Sequence, residues 1–304
     1  MPFHLDPLSR RRFLQGTSAL LLSPVARAAE SNTTETWALL ADTHIAADAT
    51  LEARGVNMAE NLGKVVKQLV AEKDTLSGVV IDGDCAYNDG QPGDYETLFA
   101  ILAPLREAGL PIHLTLGNHD DRAVLSKTLT QVGDSPVEGK HCTIVETPIV
   151  NLVLLDSLRF VNKVEGEIGP EQIAWVTAHL DSTSDKPSVL VGHHSPQPAA
   201  EDPTSSDEPA RITGLIDTGD LFRTLAPRRA AKAYVYGHSH RWESSADKDG
   251  IHHVNLPPTA YVFDGSRPNG WVRATFSATS GEFELVALDP SHPQHGEQHT
   301  LKWR

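Results

Sequence analysis

Five apolar runs in this chain of 304 residues stop at the same kind of boundary, and that repetition constrains the fold more than any other feature. "WALLADTH" ends in Asp42 and His44, "SGVVIDGD" in Gly83 and Asp84, and "LPIHLTLGNHDD" in Gly117, Asn118 and His119. "PSVLVGHHSP" ends in Gly192 and His193, and "AYVYGHSHRW" in Gly237, His238 and His240. Short continuous apolar runs are how strands buried on both faces read. Between the first two, Met58, Leu62, Val65, Val66, Leu69 and Val70 recur at spacings of three and four, which predicts a helix over 57–71. Further helices are expected over 94–108, with Asp94 as the cap, and from Pro170 onward. "WVRATFSATSGEFELVAL" alternates about Ser280 and Gly281 and reads as an antiparallel hairpin. Strands alternating with helices imply one α/β domain with a largely parallel sheet.

In open α/β sheets ligands gather beyond the carboxyl ends of the strands, so the polar ends are expected to meet. A lone "GD" or "GH" carries no weight, whereas five such ends, four led by glycine, do. A glycine there lets the backbone turn sharply and lets neighbouring strand ends approach without a Cβ clash. The donors so gathered are His44, His193, His238 and His240, the carboxylates of Asp42 and Asp84, and the amide oxygen of Asn118. They are too many for one tetrahedral ion and suit two five- or six-coordinate ions sharing a carboxylate. The absence of thiolates in the set argues against a structural zinc knot or an iron–sulfur cluster; the mixed N/O donors fit Fe, Mn, Zn or Co.

The ordered motifs Asp42-Thr43-His44, Gly83-Asp84, Gly117-Asn118-His119-Asp120, Gly192-His193 and Gly237-His238-Ser239-His240 resemble the signature of the calcineurin-like metallophosphoesterases, over about residues 36–260. The resemblance implies a four-layer αββα sandwich, two mixed β-sheets packed together with helices outside, spanning 36–290. It implies one metal held by Asp42, His44, Asp84 and His240, and a second held by Asp84, Asn118, His193 and His238, with Asp84 bridging. Two such neighbouring cations would turn a shared water into a hydroxide that attacks phosphorus. His119 would stabilise or protonate the leaving oxygen, oriented by Asp120. His194 is expected in the pocket wall rather than among the ligands.

Within the family, "GNHDDR" (117–122), "LDSL" (155–158) and "HHSP" (193–196) look most like the branch of cyclic-nucleotide and glycerophosphodiester phosphodiesterases, though Ser195 stands where that branch often has proline. Leu116, where the protein serine/threonine phosphatases carry arginine, departs from that branch, and no chain remains for the extra domain of a 5′-nucleotidase. The expected activity is hydrolysis of small phosphodiesters or phosphomonoesters. The alternatives are a phosphomonoesterase alone and a non-catalytic scaffold on the same fold.

A formal charge of −14 argues against nucleic acid as a general partner, because neutralising phosphates needs surplus Lys and Arg. It leaves open a small phosphorylated substrate met by a bound cation. The first residues form a separate unit. Three arginines (Arg10, Arg11, Arg12), an apolar stretch and Ala26-Arg27-Ala28 have the layout of an export signal over 1–28. The order Ser9-Arg10-Arg11-Arg12-Phe13-Leu14 resembles the twin-arginine signal, which implies export machinery for folded proteins as a partner and a periplasmic or extracellular destination. Cleavage after Ala28 removes four arginines and one aspartate, taking the charge to −17. No cysteine near that site offers a lipid anchor, and no internal run is long enough to cross a bilayer. Cys85 and Cys142 are read as two small buried hydrophobes. Residues 195–210, rich in Pro, Ser and acid, are expected to form a surface loop, and the polar stretch 291–304 a free tail in which His292, His295 and His299 are solvated. His252 and His253 alternate on an expected strand, so one is expected to face the site and the other to point away.

Overall fold

The segment Trp37–Ala41 is buried along its whole length because both faces of its strand are covered. Ala38 and Leu40 point into one apolar cluster, while Trp37, Leu39 and Ala41 point into another. The computed structural model describes residues 4–5, 33–129, 135–197 and 212–304. In chain order these form β1 (His4–Leu5), β2 (Glu35–Ala41), β3 (Glu52–Ala53), β4 (Val56–Asn57), α1 (Met58–Ala71), β5 (Gly78–Asp82), α2 (Pro92–Glu107), β6 (Ile112–Leu114), α3 (Arg122–Thr128) and β7 (Thr143–Glu146). There follow β8 (Asn151–Leu154), α4 (Pro170–Ser182), β9 (Ser188–Val191), α5 (Thr218–Leu225), β10 (Ala231–Tyr236), β11 (Glu243–Ala246), β12 (His252–Asn255), β13 (Gly270–Phe276), β14 (Ser280–Ala287) and β15 (Gln298–Lys302).

The strands make two large mixed sheets rather than the one parallel sheet that the alternation of elements implies. The first runs β1-β6-β5-β2-β13-β14-β15 and the second β11-β12-β10-β9-β8-β7, with β3 and β4 as a separate ribbon. The central pairs β2–β5, β5–β6, β8–β9, β9–β10 and β10–β12 are parallel, and antiparallel strands flank them. Three apolar clusters separate four layers. Helices α1 and α2 cover the outer face of the first sheet through Leu62, Val65, Leu69, Leu98 and Leu102. Leu39, Val80, Leu152, Val191, Val235 and Phe276 fill the space between the sheets. Helices α4 and α5 cover the second sheet through Val176, Leu180, Leu221 and Leu225. Each such fully buried side chain contributes about 1.5–3 kcal/mol relative to exposure, so the sandwich is held mainly by these three layers. This is the αββα architecture.

Helix α1 starts where the periodicity places it, with the Asn57 side chain accepting from the Glu60 amide at 2.9 Å. At α2 the cap differs from expectation. Gln91 holds the cap position, and Asp94, one turn in, reaches back to accept from the Gln91 amide at 3.0 Å and from the Ala47 amide at 2.8 Å. The stretch 291–304 is not a free tail. Strand β15 pairs with β14, Leu301 is buried, and the Arg304 guanidinium donates to carbonyls of Leu225, Ala226, Arg228, Ala231 and Asp249. Cys85 and Cys142 are both buried and unbridged. The expected loop over 195–210 falls largely outside the described residues, as does the export segment apart from 4–5. Among the described residues no helix is long and apolar enough to cross a membrane.

Candidate metal centre

The loops that follow β2, β5, β6, β9 and β10 bring all seven expected donors to one edge of the sandwich. Three sets of ligand atoms lie mutually within 4.8 Å: Asp42, His44 and His240; His44, Asp84 and His119; and Asp84, His193 and His238. Asn118 lines the same cleft, and its Oδ1 is buried without a hydrogen-bond partner. The cleft, of about 290 Å³, is bounded by His44, Asp84, Asn118, His119, His238 and His240 on the donor side. Tyr261, Phe263, Ser195 and Thr213 also line it.

The backbone explains how donors from two sheets converge. Asp42, His44, Asp84, His238 and His240 have φ of 52°, 46°, 46°, 65° and 53°. Left-handed backbone at a non-glycine residue costs about 1–2 kcal/mol, so strain is concentrated where the strands end. Of the four leading glycines only Gly83, at φ 65°, supplies the turn itself; the donors do the rest of the bending. Gly117 is needed for close approach instead. A Cβ there would stand 2.1 Å from Asp84 Oδ1 and 2.4 Å from the Asp84 amide nitrogen.

Hydrogen bonds then orient each ring. His193 Nδ1 donates to the Asp82 carbonyl at 2.9 Å, and His240 Nδ1 to the Tyr261 carbonyl at 2.6 Å, which frees both Nε2 atoms for the cluster. His238 is held the other way round, Nε2 donating to the Thr213 carbonyl at 2.7 Å. Asp42 accepts from the His238 amide, and Asp84 Oδ1 from the His119 amide at 2.9 Å. His193 Nε2 lies 3.2 Å from Asp84 Oδ2, and His240 Nε2 lies 3.3 Å from Asp42 Oδ1.

The charge states suit cation binding. Burial opposes ionisation of Asp42 and Asp84, but His240 beside the first and His193 beside the second hold both carboxyls below the usual range. Burial pushes His44 and His238 down to about 4, keeping these rings neutral with a lone pair to offer. His193 goes the other way: burial disfavours its charge, yet Asp84 and Asp42 push it up to about 10. The carboxylates that raise His193 and the unpartnered buried oxygen of Asn118 are surroundings a cation would satisfy, with His193 giving up its proton as the ion binds.

Two expected roles need correction, and some contributors went unforeseen. Asp120 does not orient His119. Its buried carboxylate accepts from the amides of Cys85, Ala86 and Gly117 and from the Tyr95 hydroxyl, tying the loop after β5 to the loop after β6. His119 is oriented by the Asn88 carbonyl, which accepts from Nδ1 at 2.6 Å. Neither His252 nor His253 reaches the cleft: His252 Nε2 donates to the Lys302 carbonyl, and His253 packs on Phe222. His194 stands behind the ligands, its ring against His193 and His238. Tyr261 stacks on His44 with ring centres 5.0 Å apart, and Phe263 on His240 at 4.3 Å. Neither aromatic lies in a polar strand end, so no local signal in the chain marked them.

A family model described as calcineurin-like phosphoesterase matches residues 36–242. The chain belongs to the calcineurin-like phosphoesterase family. This member, with all seven donors present, is a metal-dependent phosphoester hydrolase. It is 27% identical over 207 residues to a probable cyclic nucleotide phosphodiesterase of Psychrobacter arcticus, covering 66% of this chain and 69% of that one. It is 29% identical over 160 residues to the glycerophosphodiester phosphodiesterase GpdQ of Enterobacter lignolyticus, covering 50% of this chain and only 55% of that relative. In fold it is similar to a dimetal phosphatase from Danio rerio, with a TM-score of 0.66 at 16% identity, over 89% of this chain and 99% of the other. The three motifs that point to a branch of this family prove to be one hydrogen-bonded unit behind the metal centre. Arg122 grips Asp156 through Nε at 2.6 Å and Nη2 at 2.8 Å, and Ser157 meets His194 Nδ1 at 2.8 Å.

Proposed function

We propose that this phosphoesterase hydrolyses small phosphodiesters with two transition-metal ions drawn from Fe, Mn, Zn and Co. One ion is assigned to Asp42, His44, Asp84 and His240, the other to Asp84, Asn118, His193 and His238. The observation that carries the assignment is the convergence of the three donor sets, two of which share Asp84. When bound, such a pair supplies Lewis-acid charge to the phosphoryl oxygens and a nucleophile from water near neutral pH. The chain's own groups do the rest. Asp84 Oδ2 lies 3.8 Å from His44 Nε2 and 3.2 Å from His193 Nε2, between rings of the two donor sets, and the His119 amide on Oδ1 fixes that orientation. His119 donates from Nδ1 to the Asn88 carbonyl, so its imidazolium form, with a second hydrogen on Nε2, would pass that hydrogen to the departing alkoxide and be left neutral. The aromatic wall of Tyr261 and Phe263 shields His44 and His240 from solvent and narrows the cleft to a small ester. The two relatives above act, by name, on cyclic nucleotides and glycerophosphodiesters, which supports diesters over monoesters.

The arginine-rich start of the chain supports a reading in which the protein is exported and releases nutrients from small phosphoesters outside the cytoplasm. A panel of matched mono- and diesters, assayed on protein reconstituted with each of the four metals, tests the function. Diester turnover exceeding monoester turnover is expected; turnover of monoesters alone would replace the reading with a phosphatase. Fusing residues 1–35 to a reporter that folds in the cytoplasm tests export, and retention inside the cell would refute it.

A further inference from the structure

A second cavity, of about 450 Å³, adjoins the metal cleft and shares Tyr261 and Phe263 with it as a common wall. Its other lining residues include Arg54, Val56, Arg267 and Asp289. The two cations differ in how they are engaged. Arg267 is tied to Glu243 at 2.9 Å, whereas Arg54 contacts only rings among the described residues, its guanidinium 4.7 Å from the Phe263 ring centre and 5.6 Å from that of Tyr261. Phe263 itself is 57% exposed, although it stacks on the metal-side ring of His240. Asp289, an acid in this wall, is occupied by the amide and hydroxyl of Ser291 at 2.9 and 2.7 Å.

Arg54 also occupies an unfavourable place in the backbone. It sits with Gly55 in the two-residue turn between β3 and β4, at φ 50° and 79°. Such turns favour Asn, Asp or Gly at that position, and a long side chain there costs about 1 kcal/mol or more. The strain is offset in part by stacking on the two aromatics, which keeps the guanidinium in the cavity lining with no carboxylate partner among the described residues. In a chain of net charge −14, that is a place where an anionic oxygen group would meet a cation with no ion-pair partner among the described residues, one aromatic layer from the metal donors.

We propose that this second cavity receives one ester arm of the substrate and that Arg54 selects arms bearing an anionic oxygen group, a carboxylate or a phosphate. The assignment rests on the phosphodiesterase reading, with the scissile phosphate over the metal donors and the arm passing across Phe263. Arg54 is then a specificity residue rather than a catalytic one.

The test uses diesters with a common 4-nitrophenyl arm and a second arm of glycerol, glycerate or glycerol phosphate. The wild-type chain is expected to prefer the anionic arms in kcat/KM by about tenfold, the scale of one charge-assisted contact, with the preference residing in KM. Glycerate and glycerol phosphate, compared with each other, tell carboxylate from phosphate. In Arg54→Gln the preference ratio should fall toward one, and Arg54→Lys should restore part of it. A ratio unchanged by Arg54→Gln, or no preference in the wild type, overturns the proposal. Calorimetry with phosphinates carrying the same arms, in which carbon replaces both ester oxygens so that no P–O–C bond remains to be cleaved, separates the two readings. If no diester is turned over but the anionic arm still binds more tightly in an Arg54-dependent way, the diesterase reading fails and the Arg54 subsite stands. Equal binding of all arms to wild type and Arg54→Gln removes the subsite.

Discussion

The main-chain amide of His119 donates to Oδ1 of Asp84 at 2.9 Å, so the residue assigned to deliver a proton is tethered to the carboxylate assigned to both metals. The other oxygen of Asp84 stands 3.2 Å from His193. Asp84→Asn keeps an acceptor for the His119 amide and removes the charge shared by the two ions. Metal affinity should fall at both positions by more than the roughly 10–100-fold that loss of an outer partner costs. Equilibrium dialysis with elemental analysis reads this, and two tightly held ions in the variant would contradict the shared role.

His119→Ala should leave metal content intact, because His119 is not among the seven donors assigned. Turnover should drop by about 10²–10⁴-fold, more for alkyl esters than for 4-nitrophenyl esters, whose departing group needs no proton. Equal loss on both ester types would point to a positioning role instead.

Gly117→Ala places a methyl group where Asp84 already is, 2.1 Å from its Oδ1 and 2.4 Å from its amide nitrogen. Neither the carboxylate nor the backbone can retreat without moving a strand end, so stability should fall by about 1–3 kcal/mol and metal retention should fall with it. Thermal melts with and without added metal check both effects.

Asp156 is fully buried and accepts from Arg122 and from the His141 amide at 2.8 Å. Asp156→Ala strands a largely enclosed guanidinium and should cost about 3 kcal/mol in chemical unfolding. Double replacement of Arg122 and Asp156 by apolar residues should recover part of that loss, since the desolvation of both charges disappears.

Deleting residues 291–304 should also destabilise the fold. It removes β15, uncovers the long edge of β14, and leaves the carbonyls of Leu225, Ala226 and Arg228 without the Arg304 guanidinium. A melting temperature equal to that of the longer chain would show that the strand contributes nothing.

Much of the site is readable along the chain because strand ends are local features. Asp42, Asp84 and His193 each follow a short apolar run of strand length, and with those runs as strands of open sheets their meeting at one sheet edge follows from topology. Helix α1 is equally legible, since its buried residues repeat on one face. What stayed hidden depends on long-range pairing. Nothing local tells β2 from β9 as members of different sheets, and in β15 only Leu301 is buried among polar neighbours, so "QHTLK" carries no strand pattern. Asp120 misled for a related reason. Adjacent in sequence to His119, it turns the other way, into the loop after β5. The Asn88 carbonyl that does hold His119 is a backbone atom, and any residue type would have supplied it.

Asp42, His44, Asp84, Asn118, His193, His238 and His240 are proposed to hold the pair of cations on which phosphodiester hydrolysis depends. Elemental analysis of the purified protein, coupled to diester hydrolysis before chelation, after it and on metal return, tests this most directly. About two transition-metal ions per chain are expected, with turnover lost and regained in step with them. Folded protein that takes up no ion and stays inert with Fe, Mn, Zn and Co alike would contradict the account.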